Sequence, residues 1–110
     1  MLGIDIDIRA HNLKALNEHP LRDRINLIEG DSTDSEIIDR VKKQAQSKKI
    51  VMVILDSDHT EEHVLIELLA YADLVSVGSY CVVLDTIIEC LPEDFSQTAF
   101  GYVEIIRIQL

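Results

Sequence analysis

Beyond Lys49 the sequence contains no lysine, and Arg107 is the only base in its last 61 residues. Eleven acids occupy the same stretch, whereas residues 1–49 balance nine bases against nine acids, so the whole net charge of -10 lies in the second half. Such a surface repels phosphate backbones, which argues against a nucleic-acid partner. Its plainest use is solvation. Cysteine is scarce too: Cys81 and Cys90 form no C-x-x-C pair and no disulfide framework. Long apolar runs are missing. The longest uncharged stretch, Leu74 to Leu84, includes Ser76, Gly78 and Ser79 and is too short to span a bilayer. No basic region precedes an apolar stretch at the N-terminus, so no signal peptide is expected and a cytoplasmic location is the default. Repeats, linkers and low-complexity tracts are absent as well. A chain of 110 residues, 47% apolar and 27% charged, reads as one soluble globular domain over 1–110.

What is present is an alternation of strand and helix. Leu2-Gly3-Ile4-Asp5-Ile6 is a short apolar run, and Ala10 to Glu18 is a polar helix with Leu13 and Leu16 facing inward and Pro20 beyond its end. Ile25 to Glu29 is a second strand, closed by Gly30-Asp31. Thr33-Asp34-Ser35-Glu36 fits a capping box, after which Ile37, Ile38, Val41 and Ala45 share a helix face. Ile50 to Leu55 is continuous and largely β-branched, the pattern of a strand buried on both faces. Glu61 to Ala72 forms a helix with Val64, Leu65, Leu68, Leu69 and Ala72 inward, and Gly78 marks the turn into a strand from Tyr80 to Leu84. Tyr102 to Leu110 alternates imperfectly and could add a fifth strand.

This order predicts an α/β domain with a mostly parallel sheet and right-handed crossovers. Ligands of such sheets sit outside the carboxyl ends of the strands. Those ends carry Asp5 and Asp7, Glu29 and Asp31, Asp56 to His59, and Asp85. Every strand except the last therefore terminates in acid, which is the main functional signal of the sequence.

The densest of these ends is "LDSDHTEEH", Leu55 to His63. Asp56-Ser57-Asp58-His59-Thr60 matches D-x-D-x-T, a phosphatase pattern in which the first aspartate attacks phosphorus and magnesium offsets the charge. That chemistry needs a downstream lysine, as does a phosphoacceptor domain built on Asp5, Asp7 and Asp56, and none follows Lys49. A D-x-D that holds a metal and a nucleotide-sugar belongs to much longer domains. His59-Thr60-Glu61-Glu62-His63 matches H-x-x-E-H, an inverted zinc-peptidase motif, but only 47 residues remain to supply a distant third ligand. Asp58, Glu61, Glu62 and His63 are better explained as helix-capping and solvent residues.

A further reading fits more of the chain. "GIDIDIRAHN", "INLIEGDSTD" and "VMVILDSDHTEEHVLIELLAYADLVSVGSYCVVLDT" resemble consecutive blocks of the cephalosporin hydroxylase family, over about residues 3–95. The resemblance implies a Rossmann-like three-layer αβα sandwich with a sheet of four to five strands, of the S-adenosylmethionine-dependent methyltransferase type. It implies that Asp5, with Asp7 as the nearby alternative, accepts the cofactor's ribose hydroxyls, and that Asp31 lies beside adenine with Ser32 as its neighbour. Asp56 and His59 would face the methionine end as catalytic groups, and Asp56 and Asp85 would hold a divalent metal such as Mg²⁺. Carboxylates suit both tasks, since they accept hydroxyls and bind hard cations.

Members of that family begin with a strand and a glycine-rich turn before reaching "GIDID". Here the sequence starts at that later point, and its glycines, at 3, 30, 78 and 101, form no such turn. The acidic pair expected at the end of the fourth strand is Leu84-Asp85, one carboxylate short, and residues 96–110 show no resemblance. The expectation is thus a truncated methyltransferase-like domain with impaired or no S-adenosylmethionine binding. The alternative is an active O-methyltransferase or hydroxylase for a small-molecule acceptor, completed by another segment or subunit. Without the usual first strand, Leu2–Ile6 and Ile50–Leu55 would present apolar edges that must close on each other or pair with another chain, so a homo-oligomer is expected.

Overall fold

A computed structural model describes residues 1–85. The expected strand at Tyr102–Leu110 and Cys90 lie outside the described residues. The order is β1 (Leu2–Asp5), α1 (Ala10–Asn17), β2 (Asn26–Glu29), α2 (Ser35–Gln46), β3 (Val53–Leu55), α3 (Glu61–Tyr71) and β4 (Cys81–Val83). Single 3₁₀ turns at Arg22–Arg24 and Ala72–Leu74 lead out of α1 and α3. The element order is the predicted one, in a mixed α/β fold with parallel strands. No helix among the described residues is long and apolar enough to cross a membrane.

The strands form two parallel pairs rather than one sheet of four. β1 pairs with β2 from Leu2↔Asn26 to Asp5↔Glu29, and β3 pairs with β4 from Val53↔Cys81 to Leu55↔Val83. β1 and β3 do not close on each other through backbone hydrogen bonds. A single apolar core nevertheless runs beneath both pairs. Leu2 and Ile4 of β1, Ile28 of β2, Ile37 and Val41 of α2, Val53 and Leu55 of β3, and Tyr71 of α3 are all buried in it. Side-chain packing, not a shared ladder, holds the two pairs together.

Three local expectations change. α1 buries nothing: Leu13 is exposed and Leu16 half-buried, because two leucines among eight mostly polar residues offer little area to bury. The cap of α2 is Asp34, not Thr33; Asp34 accepts from the Glu36 amide, while the Thr33 hydroxyl donates to Asp31 Oδ1 instead. β3 is not buried evenly on both faces. Val51, Val53 and Leu55 are buried, with Met52 and Ile54 only half covered, so the β-branched run is a one-sided strand in this half of the fold.

The most informative change is in α3. Leu65 and Leu69 were expected inward, yet they are 54% and 74% exposed, while Glu67 and Tyr71 are fully buried. Ala72 is exposed as well. The helix is turned so that His63, Glu67 and Tyr71, one turn apart, run along its inner side. Polar partners make that orientation possible, as the site shows below.

Gly30 sets the entry to α2. It has φ +154°, and a Cβ added there would stand 2.8 Å from Ile37 Cδ1. Gly30→Ala must therefore strain the backbone and displace a buried isoleucine. The expected loss is about 1–3 kcal/mol, read as a lower urea midpoint at unchanged slope.

Candidate functional site

The carboxyl ends of the two strand pairs form two acidic clusters. The first belongs to β1 and β2. Asp5 Oδ1 accepts the Asp7 amide at 2.9 Å, and the Asp5 carbonyl accepts the Gly30 amide at 2.9 Å. Glu29 Oε2 accepts the Ile8 amide at 3.1 Å, so the loops after β1 and β2 are tied together. Asp5 is half-buried and Asp7 exposed, which leaves the carboxylate of Asp5 only partly engaged.

Asp31 closes this cluster. Its Oδ1 accepts both the amide and the hydroxyl of Thr33, at 2.8 and 2.7 Å. The Thr33 hydroxyl is the main reason the Asp31 carboxyl titrates below its usual range; the Thr33 amide and nearby His63 add to the effect, and slight burial opposes it. A carboxylate favoured in this way contributes stability above its unfolded pKa and loses that contribution as pH falls through the lowered folded value. Thr33→Val removes the first of these donors and keeps the second. The Asp31 titration, followed by carboxyl ¹³C NMR, should move up toward the ordinary range without reaching it. An unmoved titration would refute the assignment.

The second cluster belongs to β3, α3 and β4. Asp56 follows β3, His59 lies in the turn before α3, and Asp85 follows β4. His59 Nε2 stands 4.0 Å from Asp56 Oδ1 and 3.9 Å from Asp85 Oδ2. One ligand atom from each of the three residues falls within 4.8 Å of the others. The His59 side chain is 5% exposed, that of Asp56 32% and that of Asp85 62%, so a buried imidazole backs two carboxylates at an open mouth. Local chain chemistry builds the site. Asp58 Oδ1 accepts the Thr60 amide at 2.9 Å, and Thr60 caps α3 by accepting the His63 amide, which fixes the turn that carries His59. Asp85 has φ 52°, a left-handed conformation that aspartate tolerates at modest cost.

The donor set suits a divalent cation. Ligand atoms about 2.1 Å from a metal and about 90–109° apart lie roughly 3.0–3.4 Å from each other. The observed separations, 3.9 and 4.0 Å from His59 Nε2 and within 4.8 Å overall, are wider, so the carboxylates would have to draw inward around a cation. An imidazole donor favours a transition metal over the Mg²⁺ that oxygen donors alone would suit.

Sequence reasoning missed the group that lies between the two clusters. Glu67 Oε1 accepts the Ser32 hydroxyl at 2.6 Å and the Ser57 hydroxyl at 2.7 Å. His63 Nε2 is 3.4 Å from the same oxygen and 3.3 Å from Ser32 Oγ, and Tyr71 donates its hydroxyl to the Ser32 carbonyl. Burial beside Glu67 raises the Tyr71 phenol pKa far above its usual value, so it remains a donor. Ser, His and Glu here do not form a nucleophilic relay, because both the serine and the carboxylate approach Nε2 and Ser32 is buried. His63, expected in solvent, has only 22% of its side chain exposed. The available signal was a stripe, His63-Glu67-Tyr71 at i, i+4 and i+8, but a polar stripe on an apolar helix ordinarily faces water.

Of the residues marked from sequence, the structure brings Asp56, His59 and Asp85 together and joins Asp5 to Asp7 in one turn. Ser32 adjoins Asp31, but its hydroxyl is spent on Glu67. A shallow apolar cleft lined by Leu2, Val41, Ala45, Val51 and Leu74 lies at the opposite, amino ends of the strands and has none of this chemistry.

Comparison with known proteins gives the family. Residues 1–104 match the family described as Rhamnosyl O-methyltransferase/CmcI. The chain is similar to the rhamnosyl O-methyltransferases of Mycobacterium tuberculosis (strain ATCC 25618 / H37Rv) and Mycobacterium bovis (strain BCG / Pasteur 1173P2). Identity to each is 39% over 77 residues, covering 66% of this chain and 31% of the relative. The matched stretch thus spans about a third of those proteins. No solved structure matches significantly. The chain belongs to the rhamnosyl O-methyltransferase/CmcI family of methyltransferases.

Proposed function

We propose that the described residues form the ribose-, adenine- and metal-facing wall of an O-methyltransferase site, and that this chain alone binds S-adenosylmethionine weakly or not at all. The observation that carries the reading is the convergence of Asp56, His59 and Asp85 at the carboxyl ends of β3 and β4. In a methyltransferase family this is where an acceptor hydroxyl would be held. Asp56, His59 and Asp85 would ligate a divalent cation, and such a cation makes a bound hydroxyl more acidic. His59 Nε2 is the atom that faces both carboxylates, so it would serve either as a ligand of the cation or as a base for the acceptor, not as both at once. Asp5, with Asp7 beside it, offers a partly engaged acceptor for ribose hydroxyls, and Asp31 offers one for the adenine side. The cofactor, when bound, supplies the methyl group on its sulfonium.

Weak cofactor binding follows from the scattered glycines. A close backbone approach to the cofactor needs a turn without side chains, and residues 3, 30, 78 and 101 supply none. The missing ladder between β1 and β3 favours a second reading, in which another segment or a second copy pairs with those strands and completes an active enzyme for a small-molecule acceptor.

Calorimetric titration with S-adenosylhomocysteine separates these readings. The expected result for this chain is no heat at millimolar ligand. Micromolar binding that weakens on Asp5→Ala would instead establish a working cofactor site.

A further inference from the structure

Glu67 is a costly residue in its position. It is fully buried at the middle of α3, and its Oε2 has no hydrogen-bond partner. Taking a carboxylate out of water carries a penalty that an apolar side chain of similar size would avoid. Packing therefore gives no reason for a carboxylate here. Its partners do. Ser32 directly follows Asp31 beyond β2, and Ser57 directly follows Asp56 beyond β3. These serines belong to different strand pairs, which share no backbone hydrogen bonds. One oxygen of Glu67 thus accepts from both sides of the seam, directly beneath the two acidic clusters.

We propose that Glu67 is a positioning residue that clasps the two strand pairs at their functional ends and couples the Asp31 loop to the Asp56–His59–Asp85 cation site. The proposal rests on the functional reading above for the cation, while the clasp itself rests on geometry alone. Its mechanism is simple. A cation that fixes Asp56 also fixes Ser57; Ser57 bears on Glu67, and Glu67 bears on Ser32 beside Asp31. Order gained at one loop then lowers the entropy still to be lost at the other, which is positive coupling between two sites. Tyr71, which donates to the Ser32 carbonyl from one turn further along α3, keeps the serine in register with the carboxylate.

Zinc titration of the full chain, followed by amide NMR, tests this. In the wild type, zinc should shift and protect not only Ser57 but also Ser32 and Thr33. Glu67→Leu removes the acceptor and should abolish the response at Ser32, with zinc affinity falling about 10–100-fold, as for loss of an outer-shell partner. Glu67→Gln keeps one carbonyl acceptor and the side-chain length, so it should restore part of both effects. Glu67→Gln also carries the test if Glu67→Leu fails to fold. Variants that fold, bind zinc like the wild type and keep the Ser32 response would overturn the proposal. If the wild type binds no cation, the functional reading fails separately, and the clasp is then judged by hydrogen exchange without metal. Faster exchange at both Ser32 and Ser57 in the variants, with Val53 unchanged, supports it; unchanged exchange at either serine rejects it.

Discussion

Tyr71→Ala should cost about 3–5 kcal/mol, a large share of the roughly 5–15 kcal/mol by which small domains are stable. Tyr71 is fully buried and is among the largest side chains in the core that β1, β2, α2 and β3 share. With no hydrogen-bonded ladder between the strand pairs, this core is what joins them, and a cavity at Tyr71 opens at their junction. Tyr71→Phe isolates the polar part. It keeps the ring and leaves the buried Ser32 carbonyl without the phenol, for an expected loss of about 1–3 kcal/mol. Urea unfolding followed by circular dichroism measures both. A Tyr71→Ala variant within 1 kcal/mol of the wild type (about a fivefold change in the unfolding constant) would mean that the strand pairs do not depend on this core.

The order of elements was legible because hydrophobic period and turn residues act locally. The β-branched run before Asp56, the apolar face of α2 and the turn at Gly78 each announce themselves within a few residues. The acidic strand ends were legible for the same reason, and three of them, Asp56, His59 and Asp85, do converge. What failed depends on distant partners. The inner face of α3 is decided by hydroxyls from Ser32 and Ser57, 35 and 10 residues before Glu67. With those partners in place, burying Glu67 becomes tolerable and Leu65 and Leu69 are left outside. The cap of α2 failed at shorter range: Thr33 and Asp34 can both cap, and Asp31 claims the Thr33 hydroxyl first. Strand pairing is the least local property, and no pattern within β1 or β3 says that the two do not pair with each other.

Loss of cation binding in His59→Ala and Asp85→Asn is the second large effect expected. Removing a ligand should cost at least as much as removing an outer-shell partner, about 10–100-fold in affinity, and removing two should reduce binding to that of a generic acidic surface. The choice of variants matters. Asparagine tolerates the left-handed backbone at residue 85 nearly as well as aspartate, so Asp85→Asn removes charge without adding strain. His59→Ala removes a buried ring, so its unfolding midpoint must be measured beside the titration. His59→Gln fills similar space with an amide, and a metal preference that shifts from zinc toward magnesium in that variant would identify the imidazole as the selecting ligand. The acidic second half predicts some background cation binding, which salt should screen. Site binding differs: it should persist at high salt, because direct ligation is screened much less than the field of a charged surface. Equal zinc affinity in the wild type and both single variants would leave Asp56, His59 and Asp85 as a plain ion cluster, with no part in binding an acceptor.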